Sequence, residues 1–337
     1  MLPLLVWIII FAAALVALVK GADWLLTSAE RIGLPLGLSP FVIGVVIVGI
    51  GTSFPELASS FAALWRGANE IVVANAVGSN VANILLIVGF GAVIARRMAV
   101  DKDLIDLDLP LLAGSTVLFL GVAYDGTITL TEAALLLIAF IIQMIYTLLY
   151  QKEWTADQPL EAEITEPGFL ARLKLFIHGN GQTGPERQRV QSKDVVMLIA
   201  GLAGVVVGAK YLIDSVIEIS TALAIATGAI TLIAVAIGTS LPELLVSVKA
   251  ARRGNAEVAL GNIFGSNVFN LLVVVGLPGV FQTLTVDTPT LTIGIPAMLL
   301  ATFLFIVSGI SRKIHIWEGA LFLLGYVVFI GKIFNLF

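Results

Sequence analysis

No cysteine occurs in the sequence, which excludes disulfides and every metal site built on thiolates. Histidine is nearly missing as well: His178 lies in a polar stretch and His315 at a helix end. Both read as solvated or interfacial rather than catalytic, and without imidazole or thiolate clusters soft transition metals are not expected. Charge is scarce, at 12% Asp, Glu, Lys and Arg against roughly 25% in a soluble domain. That excludes an ordinary soluble fold and leaves no basic surface for nucleic acid. No Lys or Arg precedes the first apolar segment, and Lys20 to Trp24 behind it hold no small-x-small cleavage site, so the segment reads as a retained helix and not a secretory leader.

What the sequence does contain is apolar: 58% of its 337 residues are hydrophobic, with a mean hydropathy of +1.03. A spanning helix needs roughly 20 mainly apolar residues. Ten such segments can be placed, at 3–26, 38–64, 70–95, 106–123, 129–150, 194–216, 226–250, 257–281, 290–310 and 315–335. Backbone polar groups in lipid must be satisfied within the chain, which leaves helices or a closed barrel, and long unbroken apolar runs choose helices. The expected class is an all-α integral membrane protein with ten transmembrane helices.

Basic residues set its orientation. Arg31, Arg96, Arg97, Lys102, Lys152, Arg172, Lys174, Arg187, Arg189, Lys193, Arg252, Arg253, Arg312 and Lys313 fall on one side, and Arg66 and Lys332 on the other. Both termini are therefore expected outside. The one long polar stretch, Gln151 to Lys193, has the composition of a linker and divides the chain into a first five-helix unit at 1–150, a cytoplasmic linker at 151–193 and a second five-helix unit at 194–337.

The units are copies. Laying the stretch from Gly51 to Gly89 on that from Gly238 to Gly276 needs no gap and gives 20 identities. Five helices per copy makes the second copy insert upside down, so the repeats are related by a twofold axis in the membrane plane, an architecture that places binding sites at the midplane.

Ionisable side chains inside spans are costly and point to function. Glu56 and Glu243 are repeat equivalents in apolar helices, where the axis brings two carboxylates to one cation site; the competing reading is that each pairs with a buried base or serves as a neutral hydrogen-bond donor, and no Lys or Arg lies at that depth. Pro55 and Pro242 cannot donate to the carbonyls of Gly51 and Gly238, which frees backbone oxygens, including those of Thr52 and Thr239, as ligands. Helical spacing puts Thr52 and Ser53 on the face of Glu56, and Thr239 and Ser240 on that of Glu243. The following helices carry Asn75, Ser79, Asn80 and Asn83, repeated as Asn262, Ser266, Asn267 and Asn270. Ser79 with Asn83 and Ser266 with Asn270 read as neutral oxygen ligands. For Asn75, Asn80, Asn262 and Asn267, coordination and interhelical hydrogen bonding weigh equally, Gly78 and Gly265 allowing close helix approach. Such an all-oxygen cage with two carboxylates suits Ca2+, which takes 6–8 oxygens in flexible geometry, better than Mg2+.

The pairs GTSFPE at 51–56 and GTSLPE at 238–243, with NAVGSN at 75–80 and NIFGSN at 262–267, resemble the calcium:cation antiporter superfamily, most closely its prokaryotic Na+/Ca2+ exchangers. The resemblance implies an antiporter of the prokaryotic inner membrane whose Glu56, Glu243 and the carbonyls of Thr52 and Thr239 hold Ca2+. It implies Na+ sites from Ser53, Ser240, Ser79 and Ser266 with the backbone near Gly49 and Ala236, and three Na+ exchanged per Ca2+. No cofactor and no obligate protein partner is implied, only the two ions and the lipid bilayer. Asn83 and Asn270 depart from the pattern, since many relatives carry an Asp at this position, which leaves stoichiometry and K+ coupling open. The linker has no EF-hand pattern, so cytosolic Ca2+ sensing of the animal type is not expected. An H+-coupled antiporter would use the same Glu pair. A channel would need no duplicated carboxylate kinks, and no nucleophile and base stand beside the Glu residues as an enzyme requires.

Overall fold

The computed structural model describes residues 4–36, 38–65, 67, 69–95, 97–100, 109–149, 191–222, 240–334 and 336. Helices dominate it: α1 (Leu4–Gly33), α2 (Pro40–Trp65), α3 (Glu70–Ala95), α4 (Leu109–Ala123), α5 (Leu130–Leu149), α6 (Ser192–Ala222), α7 (Leu241–Arg252), α8 (Ala256–Phe281), α9 (Thr290–Ile310) and α10 (Ile316–Ile333). Among the described residues α1, α2, α3, α5, α8, α9 and α10 are long and apolar enough to cross a membrane, and α4 is a shorter apolar helix. The sequence boundaries hold to within a few residues except at α1 and α6, which run on into polar turns that hydropathy alone does not count. Most of the linker, the chain ends and residues 223–239, which include the upstream part of the expected seventh span (226–239), lie outside the described residues.

Local chemistry sets the helix ends. Ser39 caps α2, accepting from the Val42 amide at 3.3 Å, with Pro40 in the first turn where its missing N–H costs nothing. His315 opens α10 in a reciprocal cap with Glu318, whose carboxylate accepts the His315 amide at 2.7 Å; its ring lies at an exposed helix end, as expected. Gly67 after α2 and Gly254 after α7 adopt φ of +75° and +82°, the left-handed conformation that ends helices with least strain at glycine. These two glycines are equivalent positions of the two repeats.

Two short strand pairs, which hydropathy did not foreshadow, tie the helix ends together: β1 (Arg97–Ala99) with β4 (Lys313–His315), and β2 (Thr127–Ile128) with β3 (Leu284–Thr285), both antiparallel. Their registers are reciprocal. Thr127 faces Thr285 and Ile128 faces Leu284, while Met98 faces Ile314 and Arg97 faces His315; the shift that lays Gly51 on Gly238 converts one pair into the other. A twofold axis produces such an exchange.

The same exchange governs helix packing. A Cβ on Gly21 of α1 would lie 2.7 Å from the Val205 nitrogen and 2.8 Å from the Gly201 oxygen of α6, and one on its equivalent Gly208 would lie 2.8 Å from the Leu18 nitrogen and 3.0 Å from the Ala14 oxygen. α1 and α6 therefore meet backbone to backbone, the small-residue packing that substitutes in lipid for a hydrophobic drive. Ion pairs fasten α1 further: Asp23 to Lys249 of α7 and to Arg253 just after it at 2.8 and 3.0 Å, and Arg31 to Asp194 of α6 at 3.6 Å. At the centre α2, α3, α7 and α8 surround a buried core in which α8 is buried without interruption from Val258 to Gly276.

Candidate ion site

The site begins at a break in α2 and at the start of α7. α2 is interrupted at Ser53 (φ −88°, ψ 6°) between Ile50–Thr52 and Phe54–Trp65, and α7 starts after Ser240 with nearly the same angles (φ −92°, ψ 6°). Both serines occupy the sparsely used bridge region. Each stands two residues before Pro55 or Pro242, which cannot carry a helical hydrogen bond through that turn.

Glu56 and Glu243 each lie three residues after these serines, each 1% exposed, and are electrostatic neighbours. The break redirects Ser53. Its hydroxyl donates not to Glu56 on its own helix but to Oε1 of Glu243 at 3.0 Å, because residues before the break no longer share the helical face assumed by a regular helical period. Thr52 Oγ1 likewise reaches across, to Asn262 Oδ1 at 3.2 Å, and lies 3.4 Å from the Gly49 carbonyl. That carbonyl also accepts the Ser266 hydroxyl at 3.1 Å, which joins Gly49, Thr52 and Ser266 in one place. Ser79 is buried. Thr239 and Ala236 lie outside the described residues.

The Asn residues divide by what they touch. Asn75 Nδ2 donates to the Glu56 carbonyl at 3.2 Å and to Ser59 and Ser60 at 3.1 and 3.3 Å; Asn262 Nδ2 reaches the Glu243 carbonyl at 3.4 Å and Ser247 at 2.7 Å. These two brace the helices that bear the carboxylates. Ser60 and Ser247, absent from the expected site, belong to this brace, and their signal was an identity in the repeat alignment that no motif claimed. Asn83 Nδ2 donates to Asn267 Oδ1 and Asn270 Nδ2 to Asn80 Oδ1, both at 3.2 Å, another pair exchanged by the repeat shift. α3 and α8 widen into i→i+5 turns over Ala82–Val88 and Asn270–Val274, a distortion frequent at functional sites.

The set of groups left over decides the chemistry. Both carboxylate oxygens of Glu56, Oε2 of Glu243, Oδ1 of Asn83, Oδ1 of Asn270 and the Ser240 hydroxyl are buried without a hydrogen-bond partner among the described residues. Such atoms normally find partners, and carboxylates this deep need compensation by positive charge or protons. No cluster of three or more His, Cys, Asp or Glu is present among the described residues, so whatever binds here meets two carboxylates and neutral oxygens.

The description sodium/calcium exchanger protein belongs to the family model that matches residues 6–149 and 193–334. The sodium/calcium exchanger MaX1 of Methanosarcina acetivorans is 34% identical, covering 97% of this chain and 98% of its own. The inner membrane protein YrbG of Escherichia coli is 30% identical over 95% of this chain and 94% of its own. A solved structure of the sodium-calcium exchanger NCX_Mj, soaked with 10 mM Na+ and zero Ca2+, superposes with a TM-score of 0.77 at 29% identity, over 97% of this chain and 98% of that one.

Proposed function

This chain belongs to the sodium/calcium exchanger protein family, and from that premise we propose that it is a secondary antiporter moving Ca2+ one way and Na+ the other through the site between α2, α3, α7 and α8. The observation that carries this reading is the set of buried oxygens without partners around Glu56 and Glu243. Two carboxylates balance one Ca2+, and Asn83, Asn270 and the carbonyls of Thr52 and Thr239 complete an oxygen shell of the kind Ca2+ accepts. Na+ takes Ser53, Ser240, Ser79 and Ser266 with the carbonyls of Gly49 and Ala236. Na+ is favoured over H+ because a proton needs no such cage. MaX1 and NCX_Mj are named as exchangers, and the chain is read as a transporter without a cofactor.

In this proposal ten spanning helices form two inverted five-helix repeats, 1–150 and 194–337, joined by the cytoplasmic linker 151–193, and alternating access comes from rocking one group of helices past the site-bearing ones. Three Na+ against two carboxylates leave one surplus positive charge, so a cycle of three Na+ per Ca2+ is electrogenic. One charge moved through 100 mV is worth about 2.3 kcal/mol. In Na+-loaded proteoliposomes, uptake of 45Ca2+ is expected to require internal Na+ and to speed up when valinomycin and external K+ make the interior positive. Uptake driven equally well by a proton gradient without Na+ would replace Na+ as the counter-ion. Indifference to potential would replace the stoichiometry with two Na+ per Ca2+.

Orientation has its own test. Positive loops inside place the linker near Gly179 in the cytoplasm and the end at Phe337 outside. Single cysteines at these positions, in a chain that has none of its own, are expected to be shielded from a membrane-impermeant thiol reagent in intact cells at 179 and labelled at 337. The reverse pattern would turn the molecule over.

A further inference from the structure

A polar contact between the two halves beside Asn270, like that of Ser53 with Glu243, has no mirror under the repeat shift. Asn80 donates through Nδ2 to the backbone carbonyl of Asn267 at 3.0 Å, whereas Nδ2 of Asn267 has no partner among the described residues. A backbone carbonyl only accepts. The Asn80 amide is therefore held in one orientation, NH2 on that carbonyl and Oδ1 away from it. That oxygen also only accepts, and it receives Nδ2 of Asn270 at 3.2 Å. With its NH2 so engaged, Asn270 turns its own Oδ1 to the other side, where the atom lies buried and unpartnered among the described residues. The chain of constraint starts from a rigid point, since Asn267 lies in the last turn of regular helix before α8 widens at Asn270. Asn80, Asn267 and Asn270 are each at most 2% exposed, so bulk water does not compete for these groups.

The opposite side lacks this anchor. Asn83 donates to Oδ1 of Asn267 at 3.2 Å, but the NH2 of Asn267 has no partner among the described residues, so both amides can turn together and keep one hydrogen bond between them.

We infer that Asn80 is a positioning residue, which passes the polarity of the Asn267 carbonyl to Asn270 and so commits the Asn270 side chain to offer its oxygen, not its NH2, to a bound cation. This rests on the cation site proposed above. A reversed amide would remove one ligand and aim two N–H dipoles at a positive ion.

The test measures the Ca2+ concentration dependence of uptake into Na+-loaded proteoliposomes. Asn80→Leu keeps the volume and removes donor and acceptor, and it is expected to raise KM for Ca2+ by about 10- to 100-fold, the range for losing a group that orients a metal ligand, with a smaller effect on maximal rate. Asn270→Asp removes the need for orientation, because both carboxylate oxygens accept; in that background Asn80→Leu is expected to leave KM unchanged. Asn267→Leu keeps the backbone carbonyl and the Asn80 to Asn270 relay, so its effect on KM is expected to be the smaller of the two single substitutions. If Asn80→Leu does not fold, Asn80→Ala carries the same comparison. An equal rise of KM in both backgrounds would make Asn80 a packing residue and overturn the inference, as would an unchanged KM in the native background. Loss of the cation site reading itself would show elsewhere, as Ca2+ uptake that survives Glu56→Gln.

Discussion

Glu56→Gln and Glu243→Gln are each expected to reduce Ca2+ flux to background while the protein remains folded. Both carboxylates are buried beside oxygens that lack partners, so a bound Ca2+ depends on them for its charge balance. Removing one partner of a buried charge pair costs about 3–5 kcal/mol, and at about 1.4 kcal/mol per decade that is a loss of at least roughly a hundredfold in affinity. The amide has the same shape and removes a buried charge from the ion-free protein, so melting in detergent is expected at an unchanged or higher temperature. 45Ca2+ uptake and size-exclusion behaviour measured side by side check both halves of the expectation. Near wild-type uptake by either variant would remove that carboxylate from the site.

A single methyl at Gly265 is expected to be almost as damaging. A Cβ there would lie 2.6 Å from the Val45 oxygen and 2.8 Å from its Cα, and across the same contact a Cβ on Gly44 would lie 2.5 Å from the Val258 oxygen. These are backbone atoms and have no rotamer to escape into. Gly265→Ala must push α8 away from α2, at about 1–3 kcal/mol for overpacking, and it does so beside the Ser266 to Gly49 contact. Transport is expected to fall at least about tenfold, since displacements near ~1 Å in a site carry costs of that order or more, with a lower melting temperature. Gly121→Ala is the control, since a Cβ added there would meet nothing within 4 Å among the described residues beyond its own helix backbone, and should change neither. Normal flux through Gly265→Ala would mean that the two helices have room to part without disturbing the site.

Much of this was legible in the chain. Apolar runs located the helices, and the repeat picked out Glu56, Glu243 and the polar residues around them, because lipid makes every buried polar atom conspicuous. Partner choice was not legible. Helical periodicity assigned Ser53 to Glu56, whereas the break that Pro55 introduces hands it to Glu243 in the other repeat; periodicity describes one helix and says nothing about which neighbour faces it. Asn75 and Asn262 weighed equally as ligands or braces until their contacts with Ser60 and Ser247 showed braces. The expectation that Gly78 and Gly265 both permit close approach is met at Gly265. The neighbour that the shift assigns to Gly78, Leu232, lies outside the described residues. The strand pairs escaped notice because such short pairing leaves no periodic signature.

The reciprocal strand registers bear on how the molecule rests as well as how it is built. Halves that exchange every such contact have, for each lopsided arrangement, a twin of similar energy in which their roles are traded. The hydroxyl of Ser53 is engaged with Glu243, while that of Ser240, its equivalent, has no partner among the described residues and neither has the carboxylate of Glu56. In the twin, Ser240 would hold Glu56 and Ser53 would release Glu243. On the alternating access proposed above, the conformation with this site turned to the opposite membrane face is the twofold counterpart of the one seen, and substitutions that treat Ser53 and Ser240 unequally, such as Ser53→Ala alone, are expected to tilt the balance between faces in addition to removing one proposed Na+ ligand.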